Sequence, residues 1–243
     1  LMEVITFGEE SAVRLAELES FEARAATLDQ ERATAVRKLE AAQSVVGKAR
    51  RDGAGPLAQQ VQKHLRTLAM AHAVIEVSVG ADPGDDVAFL LAANPGSPVM
   101  PLTKVASGGE LARTMLALRL VLSSGPHTLV FDEVDAGIGG EAAVAVAQAL
   151  AQLGKRHQVL VVTHLPQVAA AGHAHIQVSK SVRSGKTFAQ AATLGEEERI
   201  AEIARMLSGG VAEATALEHA RELLRDSHKI ATADRVAPKR SRQ

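Results

Sequence analysis

The residues of this chain best suited to chemistry are two acids at the end of an apolar run, Thr128-Leu129-Val130-Phe131 leading directly into Asp132-Glu133. A buried strand normally ends in a turn residue, so paired carboxylates at its carboxyl end need a reason beyond folding. In nucleotide hydrolysis two such acids have separate tasks. One holds Mg²⁺, usually through water, because magnesium keeps much of its hydration shell. The other orients or deprotonates the attacking water. Asp135 follows two residues later, in a loop with Gly137, Gly139 and Gly140.

Two further groups gain meaning from that pair. Ser107-Gly108-Gly109-Glu110 runs into a helix opening Leu111-Ala112-Arg113. Glycines let the backbone approach an anion, and the free amides and dipole of a helix start favour phosphate. The same residues also make a capping box, Ser107 as N-cap with Glu110 three residues on, and that reading alone explains S-x-x-E. Thr163-His164 ends the next apolar run. A lone histidine at a strand end is more often a satisfied polar residue. Beside the acid pair it is placed to meet a γ-phosphate or the attacking water.

Three imitations fall away. Ser184-Gly185-Lys186-Thr187 resembles the end of a phosphate-binding loop, but the required glycine five residues before Gly185 is Lys180, and no Gly-x-x-x-x-Gly-Lys-[Ser/Thr] run occurs anywhere. Leu207-Ser208-Gly209-Gly210 ends a helical pattern with no acidic strand after it, and reads as a C-cap. His173 and His175 alternate on an expected strand without an acidic partner nearby, which does not make a metal site.

The elements that position these groups follow from periodicity. Glu9 to Arg51 holds no proline, and Leu18, Ala25, Leu39 and Val46 alternate with Phe21, Leu28, Ala35 and Ala42 in a heptad, Arg32 being the one polar exception. That pattern, flanked by charges, predicts a coiled-coil arm. Asp52-Gly53-Ala54-Gly55-Pro56 predicts a break, with a second helix to about Met70. Alternation over 74–79 and 87–93 predicts two strands around Asp82-Pro83-Gly84. A helix over 108–122, a buried parallel strand over 127–131, an alanine-rich helix over 138–153 and a second buried strand over 158–163 form a βαβ unit. Its functional loops belong at the strands' carboxyl ends. A hairpin around Ser184-Gly185 (173–180 and 187–194) and helices over 196–207 and 212–225 complete the chain. Residues 1–52 are thus an arm, 53–230 one α/β lobe, and 231–243 a disordered basic tail with Lys239, Arg240 and Arg242.

Composition narrows the classes. With 243 residues the chain can form one substantial core plus an extension. It has no cysteine, which excludes disulfides and thiolate metal sites and suits a reducing cytoplasm. No apolar run approaches the roughly 20 residues of a membrane span. The net charge of -1 gives no global sign of nucleic-acid binding, and five phenylalanines as the sole aromatics make base stacking a poor recognition mode.

S-G-G-E, a strand ending D-E, an aspartate in the following loop and a strand ending in histidine resemble, in that order, the ABC-type ATPases. There they are the signature motif, the Walker B strand, the D-loop and the switch histidine. The wording of 105–111, 131–140 and 163–169, with a coiled-coil arm in front, is similar to the SMC-like members acting in DNA repair. A transporter's nucleotide-binding subunit usually has proline and threonine where this chain has Val134 and Asp135. The resemblance covers nearly the whole chain. It implies a carboxy-terminal head lobe with a mostly parallel sheet, whose Walker A and Q-loop belong to an amino-terminal lobe of the same protein. It further implies ATP and Mg²⁺ as cofactors, with Asp132 serving the metal, Glu133 acting on water and His164 meeting the γ-phosphate. Ser107, Gly108, Gly109, Glu110 and Asp135 belong to the nucleotide site, the signature contacting ATP held by an opposite protomer. The implied partners are a second head and DNA, in the cytoplasm at the nucleoid, for double-strand break repair. Two alternatives stay open: an SMC-like chromosome-structuring head, and a non-catalytic coiled-coil interaction module, against which Glu133 argues.

Overall fold

The computed structural model describes residues 2–104, 107–122, 125–183, 186–210 and 213–233. Val105 and Ala106, the hairpin turn Ser184-Gly185, and the expected tail from residue 234 onward lie outside them.

The arm is one helix, α1 (Met2–Thr67), and it does not break at residues 52–56 as the sequence predicts. Pro56 lies inside it. A proline there forfeits a backbone hydrogen bond at a cost of about 3 kcal/mol. Side-chain contacts on each flank offset that cost. Before it, Arg50 bonds Asp85 and the Pro83 carbonyl, and Arg51 donates to Asp82 at 2.6 Å. After it, Val61 and Leu65 are fully buried, with Leu57 packed against the same core. The heptad residues Leu18, Phe21, Leu28 and Leu39 are all exposed.

The chain divides into two compact units, residues 1–54 with 78–88, and residues 55–77 with 89–243. In the first, Gly84 (φ +75°) lies 3.4 Å from the Gly47 backbone, measured from where a Cβ would stand, a close approach that side chains would prevent. In the second, α1 ends in a left-handed Ala69 (φ 59°), and the Met70 amide turns back to the Leu65 carbonyl at 3.1 Å. Gln62 then ties the helix end to the next strand, accepting from the Ile75 amide at 3.1 Å and bonding the Ala73 carbonyl.

Strands β1 (Val74–Val79), β2 (Val87–Ala92) and the short β3 (Met100–Pro101) form a sheet in that order. Helix α2 (Gly108–Val121) leads to β4 (Thr128–Phe131), α3 (Gly140–Gly154) and β5 (Gln158–Val161). β4 and β5 pair in parallel, Thr128 opposite Gln158 and Phe131 opposite Val161, so the βαβ unit forms as expected. It is buried on one face only, which corrects the sequence reading. Leu129 and Phe131 point into the core, whereas Val130, Leu160 and Val162 are 68%, 47% and 61% exposed. Apolar composition suits a strand covered on both faces, and in this chain the second cover is missing.

A six-residue helix α4 (Pro166–Ala171), unforeseen, follows β5. The hairpin β6 (Ile176–Arg183) and β7 (Lys186–Thr193) is antiparallel, which puts Thr187 on a strand as expected, with Lys186 as its first residue. His173 and His175 precede β6 rather than alternating on it. Helices α5 (Glu196–Ser208) and α6 (Ala214–Ala233) pack with α4 around Ile203, Ala204 and Ala220. Gly209 (φ 67°) caps α5 in the left-handed conformation, as read from the sequence.

Candidate functional site

The carboxyl ends of β4 and β5 and the start of α2 hold every residue singled out for chemistry. Ser107 is the N-cap of α2, its hydroxyl accepting from the Glu110 amide at 3.4 Å. The capping role is therefore real, and it leaves Gly108 and Gly109 as the opening turn. Thr114 secures that turn by donating to the Glu110 carbonyl at 2.8 Å.

Asp132 and Glu133 emerge from β4 into solvent. The Asp132 Oδ1 accepts from the Glu133 amide at 2.9 Å. Glu133 has φ 56°, a left-handed backbone that costs a side-chain-bearing residue roughly 1–2 kcal/mol. Strain of this kind persists where the surroundings over-determine it, and concentrates at functional residues. It throws the Glu133 carboxylate against Gly108, so close that Oε2 occupies the space a Cβ on Gly108 would need. Gly109 is equally constrained by the loop after β4. A Cβ there would stand 3.0 Å from the Ala136 carbonyl oxygen and 3.1 Å from both the Ala136 Cβ and the Arg113 Nη1.

Asp135 points away from this open side. It is 2% exposed, and its Oδ2 accepts from the Thr163 hydroxyl at 2.5 Å and the His164 amide at 3.2 Å. The His164 Nδ1 lies 3.4 Å from the same oxygen, while the rest of the ring is exposed. Arg113, which composition alone would put on the surface, is buried, and its Nη1 donates to the Ala136 carbonyl at 2.9 Å. Burial holds the guanidinium below its ordinary value, opposed by the nearby Glu110 charge. Arg113 and the role of Thr163 escaped the sequence reading. A hydroxyl immediately before the histidine was the one available signal for the second, and nothing marked the first.

The open side of the site offers oxygen donors from Asp132 and Glu133, which suits a hard cation such as Mg²⁺. Among the described residues no three His, Cys, Asp or Glu side chains gather as a metal cage. Magnesium bound with a nucleotide takes one or two carboxylates and completes its shell with phosphate and water, so this donor set fits.

Paired acids at one strand end, a histidine at the next and a glycine-opened helix beside the acids thus lie at one end of a βαβ unit. No family model matches the chain. Its curated relatives are more specific. It is 46% identical to DNA repair protein RecN of Deinococcus radiodurans over 230 residues, 92% of this chain and 41% of that protein. It is 40% identical to RecN of Mycobacterium bovis over 91% of this chain and 42% of the relative. RecN of Treponema pallidum matches at 52% over 143 residues. The chain spans about two-fifths of the length of those relatives. Among solved structures, an SMC head domain with a coiled coil from Pyrococcus yayanosii is 21% identical, with a TM-score of 0.46 over 60% of this chain and 28% of that one. No helix among the described residues is long and apolar enough to cross a membrane.

Proposed function

We propose that this chain supplies the hydrolytic and signature half of an ATP-hydrolysing, RecN-type protein that acts in DNA double-strand break repair. The observation that carries the reading is Glu133, in a strained backbone beside Asp132, lying against Gly108 at the start of α2, with His164 following the neighbouring strand. Asp132 would hold Mg²⁺. Magnesium, when bound, supplies positive charge to the phosphate oxygens. Glu133 takes a proton from, or orients, the attacking water. His164 meets the γ-phosphate. Ser107, Gly108 and Gly109 meet ATP held by the opposite protomer, so nucleotide joins two heads.

The cradle of backbone amides and the lysine for the β- and γ-phosphates come from an amino-terminal lobe of the same protein. The open apolar face of Val130, Leu160 and Val162 supports docking of such a lobe, and relatives more than twice as long supply the chain for it. The exposed heptad residues of α1 support pairing with an outgoing helix of the same protein. Engagement with DNA follows from the function named for the relatives.

The test is reconstitution. The purified 243-residue chain should show no Mg²⁺-dependent ATP turnover. Co-expression with the amino-terminal part carrying a Walker A motif should restore it. Turnover by this chain alone contradicts the half-site reading, and so does a reconstituted pair that binds no ATP.

A further inference from the structure

The hairpin β6–β7 differs from the rest of the chain in the sign of its charge. From Ala142 to Gly195 the sequence holds no aspartate or glutamate, although the chain has 28 acids in 243 residues and several would fall in an average stretch of that length. Surfaces ordinarily mix the two signs. Within that stretch the hairpin carries Lys180, Arg183 and Lys186. All three lie in its outer half, where Arg183 stands opposite Lys186 and Lys180 opposite Ala189. Successive residues of a strand face opposite sides, so this register sends Lys180 to one face and Lys186 to the other.

The tip keeps its charge. Lys180 and Lys186 are exposed, as is every residue of β7, and neither forms an ion pair among the described residues. The acids that follow the stretch belong to the root of the hairpin. Glu202 accepts from the Gln177 side-chain amide at 2.6 Å and is itself held by Arg205 at 2.7 and 2.8 Å. Glu196, Glu197 and Glu198 open α5, beyond the end of β7. From Lys186 to Thr193 the strand runs roughly 23 Å at about 3.3 Å a residue. Salt screens exposed charges beyond about 10 Å, so the root does not cancel the tip. The polar residues between the cations, Ser179, Ser181, Thr187 and Gln190, are neutral donors of the kind that bond phosphate oxygens beside Lys and Arg.

We infer that the outer half of the hairpin β6–β7 is a DNA contact, in which Lys180, Arg183 and Lys186 bind the phosphates of duplex DNA without reading its sequence. A duplex carries one charge per about 1.7 Å of its axis, so a tip of this size meets several phosphates at once. A two-stranded ribbon is narrow enough to lie in the major groove, where cations on its two faces reach the flanking backbones. The whole-chain charge of -1 conceals this surface, because the acids that balance it lie in other segments. DNA as the partner rests on the DNA-repair half of the proposed function; the segregation of charge rests on neither half.

Duplex binding by the reconstituted protein, measured without nucleotide over a range of salt, tests it. Each phosphate contact contributes about 0.9 to the slope of log Kd against log salt. Replacing all three cations together (Lys180→Gln, Arg183→Gln, Lys186→Gln) should therefore lower the slope by about 2–3 and weaken binding at least roughly tenfold at about 0.1 M salt. Keeping the charge with Lys180→Arg, Arg183→Lys and Lys186→Arg should preserve the wild-type slope. Removing as much charge from exposed positions of the arm, with Arg14→Gln, Arg32→Gln and Lys38→Gln, should leave it unchanged. An unchanged slope in the hairpin variant overturns the site while DNA engagement stands, and an equal fall in the arm variant overturns it too, since net charge alone would then count. A wild type that binds no duplex at all removes both the site and the DNA-repair reading. Loss confined to vesicles of anionic lipid, with duplex binding intact, would make the hairpin a membrane contact and contradict the inference.

Discussion

The carboxylate of Glu133 rests on the α-carbon face of Gly108, inside one chain and with no room for a methyl group between them. For Gly108 to meet a nucleotide on an opposite protomer, that carboxylate has to swing aside. The obstructing atom is the far end of a flexible side chain, so Gly108→Ala should fold. As a glycine replaced in a first helical turn, it should gain up to about 1 kcal/mol. Its Cβ should nevertheless keep the opposite protomer's nucleotide from approaching the backbone there, and cut turnover of the reconstituted protein by at least roughly tenfold. A thermal melt and a steady-state ATPase assay read the two effects. Full activity with an alanine at 108 would mean that no nucleotide approaches the Gly108 backbone closely.

Gly109 should behave oppositely, because what it abuts is backbone. The Ala136 carbonyl at 3.0 Å from the added Cβ cannot withdraw without moving the loop. Gly109→Ala is therefore expected to lower stability by about 1–3 kcal/mol, read as a reduced denaturant midpoint at unchanged slope. A loss below a few tenths of a kcal/mol would show the loop to be soft.

Acid should destabilise the lobe in two stages. Burial, the dominant effect, holds His64 and His175 below the ordinary value of 6.5; at His175 the charge of Arg199 adds to it and Glu202 opposes it. Folding excludes a proton that the unfolded chain accepts, so the penalty is absent well above 6.5 and grows as pH falls below it. Glu202 acts lower down. The hydrogen bond from Arg205 holds its carboxyl below the ordinary 4.5, so its stabilisation is full above that value and is lost as pH falls through the depressed one. Unfolding midpoints measured from pH 8 to pH 3 should fall in both ranges, and His175→Gln should shrink the first fall. A flat profile between pH 7 and pH 5 would contradict it.

The frame of the candidate site was legible because its signals are local. Asp132-Glu133, Thr163-His164 and Ser107–Glu110 each announce themselves within a few residues, and the periodicities around them place the strands and helices to within a residue or two. What escaped depends on partners far along the chain. Arg113 looks like one more helix-surface charge until Ala136, 23 residues away, supplies its acceptor. Asp135 gives no local sign of its hydrogen bond with Thr163, 28 residues distant. Pro56 signals a break, and the helix survives because contacts on each flank outweigh a local penalty. The open face of β4 and β5 could not be foreseen either, since apolar residues signal that a strand is to be covered and not by which segment.

The central claim is that Glu133 drives water onto ATP, and single-turnover hydrolysis by the reconstituted protein with Glu133→Gln tests it most directly. The amide keeps the size and hydrogen bonding of the acid but cannot take a proton. The expected result is ATP bound at wild-type affinity, recovered unhydrolysed, with the two heads held together by it. Hydrolysis at the wild-type rate would remove Glu133 from the reaction and contradict the account.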